Sequence, residues 1–534
     1  MQDNENQKHN RLLKKRDKGN DLSLVKIRYF VILKICRMKE ETKIYIIGAG
    51  LAGTTIAEQI QRKKVFGEVA AFFDDDPQKI GTNIGGIPVL GPIGEVTKIF
   101  RAEKNAEALI AIPSIRIERL QEIYVGLKQG GFTKIKILPT LSQIIDGTAH
   151  LVQARDINPE DLLGRTPITI KLTETLSYLR GKRVLITGAG GSIGSELSRQ
   201  LLSAGAERVY LFGHGENSIY QIRKELTILQ EGGVGEKAIV VPVIGDLKDR
   251  DYMMYIFGQL NCNVVFHAAA YKHVPLMEEN PVAAIQNNVF GTKNLLDACL
   301  ANNVKRFVLI STDKAVDPIS VYGISKFLSE KLVLNAAAKA TEMHSDAAYM
   351  FVRFGNVLGS RGSIFPLFVE QIQNGGPVTI TDKRMERYFM TIPEACSLIL
   401  QTAGVGKNAT SYLLEMGKPV NIYETAQQLI RYMGYEPEVD IGIKFIGMRL
   451  GERLSEVLVS ENEITEKTDY PKILKVISTA PNAFQEPVLA KLLAALAPVC
   501  SCDPAQPELF RNKEYLLSVL KQNFVHYAKH AKTE

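Results

Sequence analysis

The sequence predicts an α/β protein of two tandem Rossmann-like domains, the second enlarged by a small additional lobe. Three observations carry that reading. At 534 residues the chain is too long for a single hydrophobic core. Short apolar runs alternate with stretches of helical periodicity through most of it, as in parallel strands joined by helices. Two glycine-rich turns, Gly48-Ala-Gly50-Leu-Ala-Gly53 and Gly188-Ala-Gly-Gly191-Ser-Ile-Gly194, each follow an apolar run and open an apolar helix. Glycines there permit a tight turn and let a phosphate approach the helix N-terminus.

Taken in order, residues 1–40 read as a basic tail. It is polar and charged from Gln2 to Asn20, and basic and apolar residues interleave from Lys26 to Arg37. The second part would suit a membrane surface or a partner, although a solvated lead-in is the plainer reading. Residues 41–147 form the first domain, with strands at Lys43–Ile47, Glu68–Phe73, Ile87–Gly91, Ala108–Ser114 and Ile135–Pro139. Asp74-Asp-Asp76 closes the second of these, where an acidic ribose ligand would stand. Its ligand is not readable, and nucleotide binding and a structural role stay open. Residues 148–181 form a linker holding Asp161-Leu-Leu-Gly-Arg165, with docking between domains as its expected role. The second domain spans 182–480. A helical extension, 481–534, follows with helices over Glu486–Leu496 and Tyr515–Leu520 and no assigned function.

Composition excludes several classes. Hydrophobic residues make up 45% of the chain, yet no run approaches the ~20 apolar residues of a membrane-spanning helix. The cytoplasm is the expected compartment, with peripheral contact at the inner face of the membrane left to the basic tail. A net charge of +7 without a basic stripe interleaved with aromatics points away from nucleic acid. Six cysteines are scattered, and only Cys500 and Cys502 are close, in a spacing that matches no common zinc pattern. Reduced, mostly buried thiols and no metal are expected.

The chemistry concentrates in one stretch. Lys305–Ile310 reads as a buried strand ending in Ser311-Thr312-Asp313-Lys314, which places these residues at the carboxyl edge of a parallel sheet. Tyr322 and Lys326, four apart, share one face of a helix. An ammonium beside a phenol lowers the phenol's pKa, and the pair can take a proton from a hydroxyl while hydride leaves the same carbon. That spacing alone is weak; the glycine turn earlier in the domain supplies its context. His267, in the strand Val264–His267, is expected to be a packed residue rather than an acid or base.

The Gly188–Gly194 turn and the Tyr322–Lys326 pair together resemble the extended short-chain dehydrogenase/reductase superfamily. Thr312-Asp313-Lys314 narrows the resemblance to nucleotide-sugar 4,6-dehydratases of the CapD-like polysaccharide-biosynthesis family, over residues 43–475. The resemblance implies Thr312, Asp313, Lys314, Tyr322 and Lys326 as catalytic residues. It implies a tightly bound, recycled NAD(P) at Gly188, Gly191, Ser192, Ile193, Gly194, Asp246, Leu247, Ala268 and Ala269. A UDP-sugar would meet Lys272, Asn356, Arg361, Arg387, Arg449 and Glu452 in the substrate-binding lobe and its surroundings. The implied reaction converts a UDP-hexose, UDP-N-acetylglucosamine first, to its 4-keto-6-deoxy derivative. A UDP-sugar 4-epimerase and a non-catalytic sugar-nucleotide-sensing scaffold are the alternatives. In the dehydratase reading Lys314, its pKa lowered by burial and by Lys326, takes the C5 proton; Asp313, its pKa raised, protonates the departing C6 hydroxyl. A homo-oligomer is expected. Many larger relatives carry transmembrane helices ahead of the first domain, and none is expected here. Two departures stand out. Gly213 replaces the acidic residue that would select NAD, leaving NAD and NADP both open with Glu216 nearby. Many large relatives also carry Met where this chain has Tyr322, which leaves inversion or retention at C5 open.

Overall fold

The computed structural model describes residues 42–63, 67–100, 105–138, 154–157, 162, 176–479 and 486–530. The basic tail, most of the linker and Asp161–Arg165 apart from Leu162 therefore lie outside the described residues. Two compact units emerge, one reaching Ala111 and including Gly126–Ile137, the other combining Ile112–Val125 with residues from Leu138 onward.

The first unit holds four parallel strands in the spatial order Glu68–Phe73, Lys43–Ile47, Ala106–Ile110, Lys134–Ile137. The stretch expected as a strand over Ile87–Gly91 narrows to Ile87–Pro88, which pairs with Asn83–Ile84 as a short hairpin. Tyr45, Phe100 and Phe132 fill the core; Phe100 and Phe132 stack with centroids 4.3 Å apart. Gly48 has φ +102, and a Cβ on Gly53 would stand 2.0 Å from the Gly48 carbonyl oxygen, so both positions require glycine. Asp74, expected at a ribose, is tied to the turn itself: its carboxylate accepts the Ala49 N–H at 2.6 Å and the Asp76 N–H at 2.9 Å. Burial opposes its charge, but those donors and the Lys79 ammonium outweigh burial and hold the carboxyl below its ordinary value.

In the second unit seven parallel strands run Ile239–Ile244, Arg208–Gly213, Arg183–Thr187, Val264–His267, Arg306–Ile310, Ala348–Arg353, Thr410–Leu414 across the sheet. Ile473–Ser478 and Glu463–Lys467 extend it antiparallel at one edge. These strands are near-continuous apolar runs because helices cover both faces. The strand order reverses between Arg183–Thr187 and Val264–His267, and ligands of open α/β sheets sit at such a reversal, beyond the carboxyl ends. A small lobe surrounds the helices Ile364–Gln373 and Ile422–Tyr432, with Val378–Ile380 paired to Ile443–Phe445 and a core that includes Phe368 and Ile430.

The extension after residue 485 forms helices Glu486–Cys500, Lys513–Asn523 and Val525–His530. Leu496, Leu516 and Leu520 are buried in the same core cluster as Tyr322 and Leu328 of the helix Val321–Glu342. Among the described residues no helix is long and apolar enough to cross a membrane. Cys262, Cys299, Cys396 and Cys500 are free and buried, while Cys502 is exposed.

Candidate active site

The strand reversal opens a cavity of ≈ 1070 Å³. Its cofactor side is the turn between Arg183–Thr187 and the helix Ser192–Ser203. Gly188 has φ +65, and a Cβ on it would stand 2.8 Å from the Ala269 backbone; one on Gly194 would stand 2.2 Å from the Gly188 oxygen. The turn thus packs directly on the Ala268–Ala269 backbone, which fixes its path. No described side chain caps the Gly191 end of the helix, and such an end attracts anionic groups. The sequence reading passed over Gly190, whose Cβ would collide with the Ser218 side chain at 2.4 Å. Gly191, Ser192, Ile193, Gly194 and Ala268 line the cavity. Asp246 holds the Lys248 N–H at 3.0 Å, and the Leu247 carbonyl takes the Asn294 amide at 3.0 Å.

His267 is indeed a packed residue. The Thr292 hydroxyl donates to the Asn288 carbonyl, so its oxygen accepts the His267 Nε2–H at 2.8 Å. Nδ1 then accepts the Thr187 hydroxyl at 2.7 Å, while the Thr187 oxygen takes the Ala269 N–H at 3.3 Å. Burial and the Lys326 charge hold the imidazole well below its ordinary value, so it is a neutral strut joining strand end to cofactor turn.

The helix Val321–Glu342 begins at Ser320, whose hydroxyl accepts the Gly323 N–H at 3.0 Å. It presents Tyr322 and Lys326 to the cavity. The Lys326 ammonium donates to the Ile310 carbonyl at 2.7 Å, at the end of the neighbouring strand. Burial pushes Lys326 down to about 8, against a smaller pull from Glu330. Burial pushes the Tyr322 phenol up to about 12, and the groups that oppose this are the Lys314 ammonium and the Thr312 hydroxyl. The expectation that Lys326 lowers the phenol is therefore corrected. Lys326 is spent on Ile310, and Lys314 supplies the charge.

Lys314 differs from its expected state as well. Its ammonium donates to Asp313 Oδ1 at 3.0 Å and Asn356 Oδ1 at 3.3 Å, and stands 3.1 Å from Glu456 Oε1. Burial would depress it, but the Asp313 and Glu456 carboxylates outweigh burial and hold it above its ordinary value. Asp313 has the expected direction: burial raises it, Lys314 opposes, and Glu456 adds to the rise. Its Oδ2 is buried with no hydrogen-bond partner among the described residues, facing the close approach of Gly355. Thr312 and Lys314 line the cavity, whereas Asp313 sits behind Lys314.

Glu456 is the group that sequence reasoning missed. It is 7% exposed, lines the cavity, and is held below its ordinary value: burial opposes its charge, but Lys314, Arg387 and Arg453 win. Its one local signal is its place just after Glu452, within Met448-Arg449-Leu-Gly451-Glu452-Arg453-Leu-Ser-Glu456.

All six expected sugar-nucleotide residues line the same cavity, in different states. Lys272 donates to Ser360 at 3.4 Å and is held down by burial, Arg361 and Lys314. Arg361 bridges to the cofactor turn, its guanidinium on the Gly190 carbonyl and its N–H on Ser192 at 3.0 Å. Arg387 spends its terminal nitrogens on the carbonyls of Glu386, Arg453 and Leu454, so it braces the loop that carries Glu456. Arg449 is exposed, and its N–H meets Glu452 at 3.3 Å.

A family model described as "Polysaccharide biosynthesis protein" matches residues 184–478, and one described as "CoA binding domain" matches 39–123. "Probable polysaccharide biosynthesis protein EpsC" of Bacillus subtilis is 42% identical over 433 residues, covering 81% of this chain and 71% of its own length. "UDP-N-acetylglucosamine 4,6-dehydratase (inverting)" of Campylobacter jejuni is 31% identical over 284 residues, 53% of this chain and 79% of its own. "UDP-glucose 4-epimerase" of Rickettsia rickettsii is 35% identical over 293 residues, 54% and 80%. The X-ray structure of Pen from Bacillus thuringiensis superposes with TM-score 0.51 at 30% identity, over 57% of this chain and 90% of that one. A family match over more than half of the chain shows that the chain belongs to the polysaccharide biosynthesis protein family, which includes nucleotide-sugar dehydratases and epimerases among its relatives.

Proposed function

We propose that the chain is an NAD(P)-dependent nucleotide-sugar 4,6-dehydratase that converts a UDP-hexose, UDP-N-acetylglucosamine first, to its 4-keto-6-deoxy derivative. The observation that carries this is Lys314, held between Asp313 and Glu456 on the same cavity as Tyr322 and Lys326. Oxidation and reduction at C4 need a base for the hydroxyl proton and a cation to favour its phenolate; the paired carboxylates around Lys314 are what elimination of water requires in addition. The glycine turn fits a dinucleotide by the helix N-terminus at Gly191, without a side-chain cap and on the cavity, and when bound the nicotinamide would supply a hydride acceptor and donor. Tyr322 takes the proton of the C4 hydroxyl, with the Lys314 charge favouring phenolate. Once C4 is a ketone the C5 proton is acidic. Lys314 is charged at rest, so it first passes a proton to Asp313, whose burial makes it the readier acceptor, and then takes the C5 proton. The proton regained by Lys314 is available to the departing C6 hydroxyl.

The C. jejuni relative supports the dehydratase reading and the substrate. The R. rickettsii relative keeps 4-epimerisation as the second reading. Incubation with UDP-N-acetylglucosamine and NAD or NADP, followed by NMR of the product, tests both. A 4-keto-6-deoxy product is expected. A C4 epimer as sole product, or no conversion, overturns the proposal.

A further inference from the structure

Residues 359–363 join the strand Asn356–Leu358 to the lobe helix Ile364–Gln373. Gly359 and Gly362 both have φ +67, a conformation that glycine adopts freely. Between them the Ser360 carbonyl accepts the Ser363 N–H at 2.9 Å, which closes a tight turn with Arg361 inside it. The turn is seated on the Lys272-His273 loop. A Cβ on Gly362 would stand 2.2 Å from His273 Cε1, and Ser360, 4% exposed, takes the Lys272 ammonium at 3.4 Å.

From that seat Arg361 reaches the cofactor turn. Its backbone N–H donates to Ser192 Oγ at 3.0 Å, and its guanidinium donates to the Gly190 carbonyl. Those two residues flank Gly191, where the helix Ser192–Ser203 starts without a side-chain cap. A guanidinium carries five N–H donors in a planar fork, and the Gly190 carbonyl engages only one of its nitrogens, Nη2. Neither Arg361 nor Lys272 is ion-paired among the described residues, and both line the cavity. Burial and the Arg361 charge together push Lys272 down. Two cations without carboxylate partners, one of them beside an uncapped helix N-terminus, favour an anion. Two diphosphates compete for it, the sugar nucleotide's and the cofactor's. The contacts favour the cofactor's, because both polar partners of Arg361 belong to the cofactor turn and neither to the lobe.

We infer that Arg361 serves the cofactor rather than the sugar nucleotide: residues 359–363 form a strap across the glycine turn that retains a nicotinamide dinucleotide, with the guanidinium directed to its diphosphate. The inference rests on reading the Gly188–Gly194 turn as the cofactor turn, and it holds for a dehydratase and an epimerase alike. A hydride taken from the substrate and returned to it requires the dinucleotide to stay bound between the two transfers. Release then requires the contacts to Gly190 and Ser192 to part.

The test uses the full chain loaded with NADH or NADPH, both fluorescent. Release is followed on mixing with excess oxidised cofactor, and UDP binding is measured separately by calorimetry. In Arg361→Ala the dinucleotide leaves about tenfold faster, since charge-assisted hydrogen bonds are lost, while UDP affinity stays within about twofold of wild type and the unfolding midpoint is unchanged. Arg361→Lys keeps the charge without the fork and releases at an intermediate rate. Release at the wild-type rate in Arg361→Ala overturns the inference. So does a loss of UDP affinity as large as the loss of cofactor affinity, which would return Arg361 to the sugar nucleotide. A wild-type chain that retains neither NADH nor NADPH refutes the cofactor reading itself, and the inference with it.

Discussion

Lys326 is a test of what the site sacrifices in stability. Burial holds its ammonium at about 8 against an ordinary 10.5. The unfolded chain therefore binds one more proton between those values, and stability rises with pH across that window. Below about 8 the folded protein bears the full penalty, which at 1.36 kcal/mol per unit is about 3 kcal/mol. Lys326→Met removes it but loses the hydrogen bond to the Ile310 carbonyl, about 1 kcal/mol. The variant is expected to be more stable than wild type by about 2 kcal/mol at pH 7. By pH 10 that advantage vanishes or reverses slightly, because the wild-type lysine is then neutral in the folded state too. Urea unfolding of both proteins at pH 7, 8.5 and 10 reads the gap directly. Turnover is lost in the variant at every pH. A wild type more stable than Lys326→Met at pH 7, or a gap that does not close as pH rises, would refute the reasoning.

The remaining expectations concern the acid–base cluster and the cofactor turn. Lys314→Ala forms reduced cofactor from substrate more slowly, having lost the charge that favours the Tyr322 phenolate, and fails altogether to exchange the C5 hydrogen with solvent; normal deuterium incorporation at C5 would remove Lys314 from the elimination step. Tyr322→Phe is slow at the first step instead, seen as slow growth of reduced-cofactor absorbance. Glu456→Gln removes one of the two carboxylates that hold Lys314 up, so the amine forms more easily and the acid limb of the kcat profile moves toward lower pH. An unmoved limb would mean that Lys314 does not titrate in turnover. Gly188→Ala places a Cβ 2.8 Å from the Ala269 backbone at a residue with φ +65, and cofactor affinity should fall by about tenfold or more, measured by fluorescence titration.

Much of the architecture was legible in the chain because its signals are local. Gly188–Gly194 is readable since an apolar strand, a turn that tolerates only glycine at its closest approaches, and a helix follow one another within a dozen or so residues. Tyr322 and Lys326 were placed on one face by helical spacing alone, and the alternation of strands and helices followed from the apolar runs, while the order of strands in the sheet did not. The state of each group was another matter. Lys326 spends its ammonium on Ile310, and Lys314 is held charged by Glu456, a residue from a distant loop. The sequence could name the buried lysines, but the sign of each pKa shift depends on which carboxylate folding brings within about 3 Å, where Coulomb terms rival desolvation. The C-terminal helices show the same division. Their periodicity was plain in the sequence, yet only tertiary packing put Phe524 edge to face on Phe327 beside Lys326, and the Cys500 carbonyl on the Gln286 amide.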